Sequence, residues 1–158
     1  MKRLALLAAI ALAVGSTLVA TASAQDGHGN GNGNGHGHGT VVLTTTMTGA
    51  QEAPGPGDPH GIGTAVITLI PSTSQICWYL QVSNLSSPAI GAHIHVAPAG
   101  VPGPVVVSLT PPDASGTSQG CTTVDPALIA AIIANPANYY VNVHTVDFPA
   151  GAIRGQLG

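Results

Sequence analysis

Three histidines could do chemistry, because they recur at strand spacing in two apolar stretches. His93 and His95 lie two residues apart within 91–98 (GAHIHVAP), and His144 lies within 139–145 (YYVNVHT). Successive side chains of a β-strand point to opposite faces. His93 and His95 therefore share one face of their strand, and His144 lies on the less apolar face of the other. Either the two faces meet in one site, or they are ordinary polar faces.

If the faces meet, the chemistry that three imidazoles support best is binding of copper or zinc, with a fourth position left open if the site is catalytic. Glu52, near a strand end, is a weaker candidate for a fourth ligand. Asn142 shares the face of His144 and would orient a ligand through a hydrogen bond. In the alternative interpretation the histidines are structural and hydrogen-bond to strand backbones or to Arg154.

Other kinds of site find little support. The chain has no G-x-S-x-G elbow, no H-E-x-x-H motif and no phosphate-binding loop. Its six acidic residues are spread over loops, which disfavours a pair of catalytic carboxylates.

The amino terminus has the features of a secretory signal over residues 1–24. Lys2 and Arg3 precede an apolar run over 4–14, and an Ala-Ser-Ala sequence at 22–24 fits a cleavage site. The run is shorter than the roughly 20 residues that span a bilayer. We expect an exported protein that is not inserted in the membrane after cleavage, located in the periplasm or outside the cell.

A low-complexity segment over 25–40 follows the signal and is rich in Gly, His and Asn. Alternating glycine offers nothing apolar to bury, which predicts a flexible linker. His28, His36 and His38 could trap a metal weakly, although a plain spacer is the favoured interpretation. The folded domain is then expected over 41–158.

Charge limits the partners of the exported chain. After cleavage Arg154 is its one basic residue against six acidic ones, a formal charge of −5 with neutral histidines. Such a chain cannot neutralise a row of phosphates, so it is not expected to bind nucleic acid or an anionic membrane. We expect Arg154 to form a structural ion pair with Glu52 or Asp147, with anion binding as the alternative.

The two cysteines, Cys77 and Cys121, are expected to form a disulfide. An even number of cysteines in an oxidising compartment favours a bond over two buried free thiols. The bond would close a loop of 44 residues, a constraint worth roughly 4 kcal/mol in the chain-entropy model.

The folded part reads as many short strands with one helix. Alternating or β-branched stretches are separated by turns rich in Gly and Pro, which favours an antiparallel sandwich or barrel. Within 62–70 one strand face carries Ala65, Ile67 and Leu69, and within 75–82 one face carries Ile76, Trp78 and Leu80. One helix is predicted near 126–134. Asp125 is a suitable N-cap, Pro126 suits the first helical position, and Pro136 ends the helix.

Several motifs together resemble the CHRD (chordin) domain. They lie in the same order as in that family and cover roughly residues 41–158: Leu43 with Gly49-x-Gln51-Glu52-x-Pro54, Ala92-His93-Ile94-His95, Gly103-Pro104-Val105, Tyr140–Thr145 and Ile153–Leu157. The resemblance implies an antiparallel Greek-key β-sandwich, immunoglobulin-like or superoxide-dismutase-like, and no established enzymatic activity. The family often has an acid between the Gly and Ile of its last motif, where this chain has Ala152.

The favoured interpretation is therefore an exported, non-enzymatic binding or structural module of CHRD type. The resemblance to chordin, an extracellular antagonist of bone morphogenetic proteins, implies an extracellular protein partner. The alternative is a copper- or zinc-binding protein that uses the three histidines, with redox chemistry like that of a superoxide dismutase.

Overall fold

A computed structural model describes residues 39–158. The predicted signal peptide and nearly all of the predicted linker lie outside the described residues. Residues 39–158 form eight strands and one α-helix: β1 Val41–Thr48, β2 Ile62–Ile70, β3 Gln75–Ser83, β4 Ala89–Val96, β5 Val105–Leu109, β6 Thr117–Thr123, α1 Pro126–Ala134, β7 Tyr139–Thr145 and β8 Ile153–Gln156.

The strands pair antiparallel in one sheet of order β5-β4-β7-β8-β1-β2-β3-β6. The two four-stranded halves are joined where β1 pairs with β8, and Thr48 opposite Arg154 is the one registered pair there. The sheet curls so that both halves share a core, which gives a nearly closed, barrel-like structure. The predicted all-β fold with one short helix is confirmed.

The core is built from alternate residues, as a strand buried on one face requires. The pattern predicted for β2 and β3 is observed: every second side chain is buried, including Ile67 and Leu69 on β2 and Ile76 and Leu80 on β3. Ile94, Val141 and Ile153, which are fully buried, supply the core from the other half of the sheet. Both halves thus bury their apolar faces against each other.

Helix α1 begins and ends as its sequence predicts. The Asp125 carboxylate accepts a hydrogen bond of 2.8 Å from the backbone N–H of Ala127, with Pro126 in the first turn. Ile129 and Ile132 are buried in the common core. The helix therefore covers apolar surface of the sheet.

Cys77 and Cys121 form the predicted disulfide. They lie directly opposite each other on β3 and β6, with Cα atoms 4.0 Å apart. The bond thus ties the edge strand β6 to its neighbour.

The outer face of β4, β7 and β8 carries the polar residues of interest. Two loops, 97–104 and 146–152, lie against it and hydrogen-bond to its side chains. This covered polar face contains both the histidines and Arg154.

Candidate metal centre

The register of the strands brings the three predicted histidines together. In the β4–β7 pair His93 lies opposite Asn142, and His144 lies opposite Gly91. Opposite residues of an antiparallel pair share a face, so His144 is a diagonal neighbour of His93. One ligand atom from each of His93, His95 and His144 can be chosen so that all lie within 4.8 Å of one another. We call these three residues the histidine cluster.

The rings pack edge to face around a gap left by a glycine. The centroid of the His93 ring lies 4.9 Å from that of His144 and 5.5 Å from that of His95. A Cβ atom on Gly91 would lie 3.3 Å from Cε1 of His93 and 3.7 Å from Cδ2 of His144. Glycine at this register position leaves the two rings room to approach each other.

Two ring nitrogens in the cluster are buried without a hydrogen-bond partner. Nδ1 of His144 lies 3.0 Å from the carbonyl oxygen of Pro149, which can only accept, so Nδ1 carries the proton. The lone pair of the neutral ring is then on Nε2, which is buried and unpartnered, as is Nδ1 of His93. Buried polar atoms are rarely left unpaired, and a lone pair oriented by a bond on the far side of the ring is the usual state of a metal-binding histidine.

His95 differs from the other two because both its nitrogens have partners. Nδ1 lies 2.8 Å from the carbonyl oxygen of Gly103, and Nε2 lies 3.1 Å from Oδ1 of Asn142. Its ring stacks on Tyr140 with centroids 4.7 Å apart and planes 6° apart. Asn142, predicted to orient a ligand, thus contacts His95, and the backbone carbonyls of Gly103 and Pro149 add contacts to Nδ1 of His95 and of His144.

Burial also keeps the cluster in the form that binds metals. The pKa of His93 lies below its usual value because the ring is desolvated and lies next to His144 and His95. Desolvation likewise lowers the pKa of His144, against the opposing effect of the Pro149 carbonyl. Both rings are therefore neutral at pH 7, as ligands must be.

The donor set fits a small transition-metal ion. Imidazole nitrogens bind copper and zinc, and a metal–nitrogen bond of about 2.0–2.1 Å requires nitrogen pairs about 3.3–3.6 Å apart. The chosen nitrogens lie within 4.8 Å of one another, so binding would require the rings to turn until these atoms are about 1 Å closer. His93 and His144 are only half-buried, so an ion can enter.

Glu52 lies outside the cluster. Its carboxyl group packs under the 146–152 loop, 2.6 Å from where a Cβ atom on Gly151 would be. Burial raises its pKa to about 7, although Arg154 and a backbone hydrogen bond from Ala53 act against that rise. Its Oε1 atom is buried and unpartnered. The metal-capable group in the described residues contains the three histidines without this carboxylate.

Arg154 is buried and makes its hydrogen bonds to oxygens that are not carboxylates. The guanidinium donates to the carbonyl oxygens of Val101 at 2.9 Å and Pro98 at 2.8 Å, and to Oε1 of Gln156 at 3.1 Å. It also lies 3.4 Å from the centroid of the Tyr140 ring.

This arrangement differs from the ion pair predicted for Arg154. Glu52 acts on the guanidinium only as a nearby charge, and Asp147 is exposed. Backbone carbonyls of the 97–104 loop take the place of a carboxylate because the loop folds over the strand. With three hydrogen bonds to these oxygens and 1% of its surface exposed, Arg154 holds the 97–104 loop against β8.

Sequence reasoning could not find several partners in this region. Some of these partners are backbone carbonyls, which every residue has, so the residue type does not indicate them. They belong to Pro98, Val101, Gly103 and Pro149. The sequence gives a weak indication that Tyr140 contacts His95 and Arg154. Strand parity puts Tyr140 on the same face of its strand as Asn142 and His144, which is the polar face. Which residues of β4 and β8 lie next to Tyr140 depends on strand pairing, and the sequence of each strand does not indicate that pairing.

Within residues 39–158 no helix is both long and apolar enough to cross a membrane. The disulfide is compatible with a secreted protein.

Fold and site together define a barrel-like all-β domain with a half-buried cluster of three imidazoles on its outer face. The chain belongs to the CHRD domain family, whose model matches residues 43–157. The resemblance noted in the sequence is thereby confirmed. No curated protein matches the chain significantly, and no solved structure does.

Proposed function

We propose that this protein is an exported CHRD-family module that binds copper or zinc through His93, His95 and His144. The observation that supports it most directly is the pair of buried, unpartnered ring nitrogens on neighbouring strands, Nδ1 of His93 and Nε2 of His144. Their rings form a group with that of His95, in which one ligand atom from each residue lies within 4.8 Å of the others. Two ring nitrogens without partners are costly to bury, and a bound ion would satisfy both.

Export is supported by the signal-like residues 1–24, by the disulfide and by the family. We propose that the protein binds the metal in the periplasm or in the extracellular space. The extracellular protein partner implied by the family remains a prediction. Nothing in the site favours a specific reaction, so the proposal is limited to metal binding.

The test is a calorimetric titration of the full chain with Zn²⁺ and, separately, with Cu²⁺. The starting protein carries His28→Ala, His36→Ala and His38→Ala, so that the low-complexity segment does not bind the metal, and it has no affinity tag. We expect one equivalent bound per chain, and elemental analysis of protein purified from metal-supplemented medium should agree.

The decisive comparison uses His144→Ala against His60→Ala. His60 is exposed and outside the cluster, so its replacement should leave affinity unchanged, whereas His144→Ala should weaken it at least about a hundredfold. Equal affinity in these two variants would return the cluster to a structural role.

A further inference from the structure

Asn142 lies where it affects one histidine of the cluster and not the other two. Its side chain is 2% exposed, and within the described residues its recorded hydrogen-bond partner is Nε2 of His95. His93 and His144 each keep a buried nitrogen without a partner. The cluster therefore has two ready ligands and a third that is already occupied.

The carbonyl of Gly103 decides which atom of His95 carries the proton. A carbonyl oxygen can only accept, so Nδ1, 2.8 Å away, must donate to it. In the neutral ring the lone pair is then on Nε2. A metal would have to bind at Nε2, the atom that lies 3.1 Å from the amide of Asn142.

The amide can satisfy that lone pair. In the structure Oδ1 faces Nε2, and two acceptors cannot bond to each other. A half-turn of the Asn142 side-chain amide exchanges Oδ1 and Nδ2, which places an N–H donor at Nε2. The resulting hydrogen bond holds the His95 ring in place and uses the lone pair that the metal needs. A metal and this amide cannot share the nitrogen.

We propose that Asn142 competes with the metal for Nε2 of His95 and so limits how tightly the three-histidine site holds its ion. This inference rests on the proposed function. It assigns Asn142 a positioning role opposite to that of the Gly103 and Pro149 carbonyls. The carbonyls prepare histidines for binding, whereas Asn142 holds one of them back until the ion displaces it.

Replacing Asn142 should therefore tighten metal binding. Both Asn142→Ala and Asn142→Leu remove the amide, and the second keeps the volume of a buried side chain. Because one hydrogen bond no longer has to break, we expect about threefold to tenfold higher affinity for Zn²⁺ and Cu²⁺ in each variant. The control is Asn138→Ala, at an exposed asparagine, which should bind as the parent does.

A spectroscopic readout separates competition from a general change in the fold. Long-range ¹H–¹⁵N correlation spectra of the metal-free parent at pH 8 distinguish protonated from unprotonated ring nitrogens. We expect the proton of His95 on Nδ1, with Nε2 accepting a hydrogen bond that is lost on replacement of Asn142 and on addition of Zn²⁺. The position of the proton in the parent, and its response to Zn²⁺, are measured without any variant.

The outcomes distinguish this inference from the proposed function. If the parent binds metal and both Asn142 variants bind equally or more weakly, the competition is disproved and the metal site stands. A proton on Nε2 in the metal-free parent would disprove it as well. If His144→Ala binds as tightly as the parent, the metal site itself is wrong and the competition falls with it.

Discussion

The histidine cluster and the Arg154 site lie on the same polar face, one strand apart, and they use their hydrogen-bonding capacity in opposite ways. The guanidinium of Arg154 donates to three oxygens and stacks on Tyr140. The cluster instead leaves one nitrogen of His93 and one of His144 unpaired. A buried polar group whose capacity is used stabilises the fold, and one whose capacity remains is available to a ligand.

The largest effect should come from breaking the Arg154 site. Arg154→Ala leaves the carbonyls of Pro98 and Val101 without donors and removes the cation from Tyr140. We expect the free energy of unfolding to fall by about 3 to 5 kcal/mol, since hydrogen bonds to a buried charged group are worth about 1.5–3 kcal/mol each. Urea unfolding of metal-free protein measures it.

Arg154→Lys is the matched control for that prediction. Lysine keeps the charge but lacks the planar guanidinium that donates to two separate carbonyls. The free energy of unfolding of this variant should therefore lie between that of the parent and that of Arg154→Ala. A loss below about 1 kcal/mol in Arg154→Ala would remove the contrast between the two sites.

In the same urea unfolding experiment, a substitution in the histidine cluster should have little effect without metal and a large effect with it. Without metal, His144→Ala removes a nitrogen that has no partner, and the free energy of unfolding should change by less than about 1 kcal/mol. With Zn²⁺ at a hundred times its dissociation constant the parent should gain about 2.7 kcal/mol and the variant nothing. A large loss in the metal-free variant would show that the cluster stabilises the fold as Arg154 does.

Glu52 offers a third case, a buried acid beside the Arg154 site. Its pKa is about 7 in the folded protein against about 4.3 in an unfolded chain. The folded state thus holds the proton more tightly, so the stabilisation is fully present below about pH 4.3 and is lost as the pH rises through 7. After allowance for solvent screening we expect a loss of about 1 to 2 kcal/mol. Glu52→Gln should abolish this slope in urea unfolding between pH 4 and 8.

The smallest effect, in the opposite direction, should come from the histidines. Their folded pKa values lie below the usual value because the rings are desolvated. The stabilisation is therefore present above about pH 6.5, and it is lost as the pH falls through the lowered values. In Glu52→Gln, where the opposing slope is removed, the metal-free protein should lose less than about 1 kcal/mol between pH 7 and 5. Adding His93→Ala and His144→Ala should flatten the curve, and an unchanged curve would show that these rings do not titrate as expected.

The sequence by itself determined the strand faces, the helix and the family. Period-two alternation predicted the buried residues of β2 and β3 because a strand exposes alternate side chains to the core regardless of its partners. Asp125, Pro126 and Pro136 predicted the helix because capping and proline sterics act within a few residues. Parity also put His93 and His95 on one face. These features depend on local backbone geometry, which the residues carry with them.

Tertiary structure alone decided what those faces do. The pairing of β4 with β7 made one cluster of histidines that are about 50 residues apart along the chain. The folding of the 97–104 loop over β8 gave Arg154 carbonyl partners where a carboxylate was expected. The Gly103 carbonyl of the same loop fixed the proton of His95 on Nδ1, and the pairing of β4 with β7 put the Asn142 amide against Nε2 of the same ring. Backbone carbonyls have the same chemistry at every position, so only the path of the chain determines which side chains they hold.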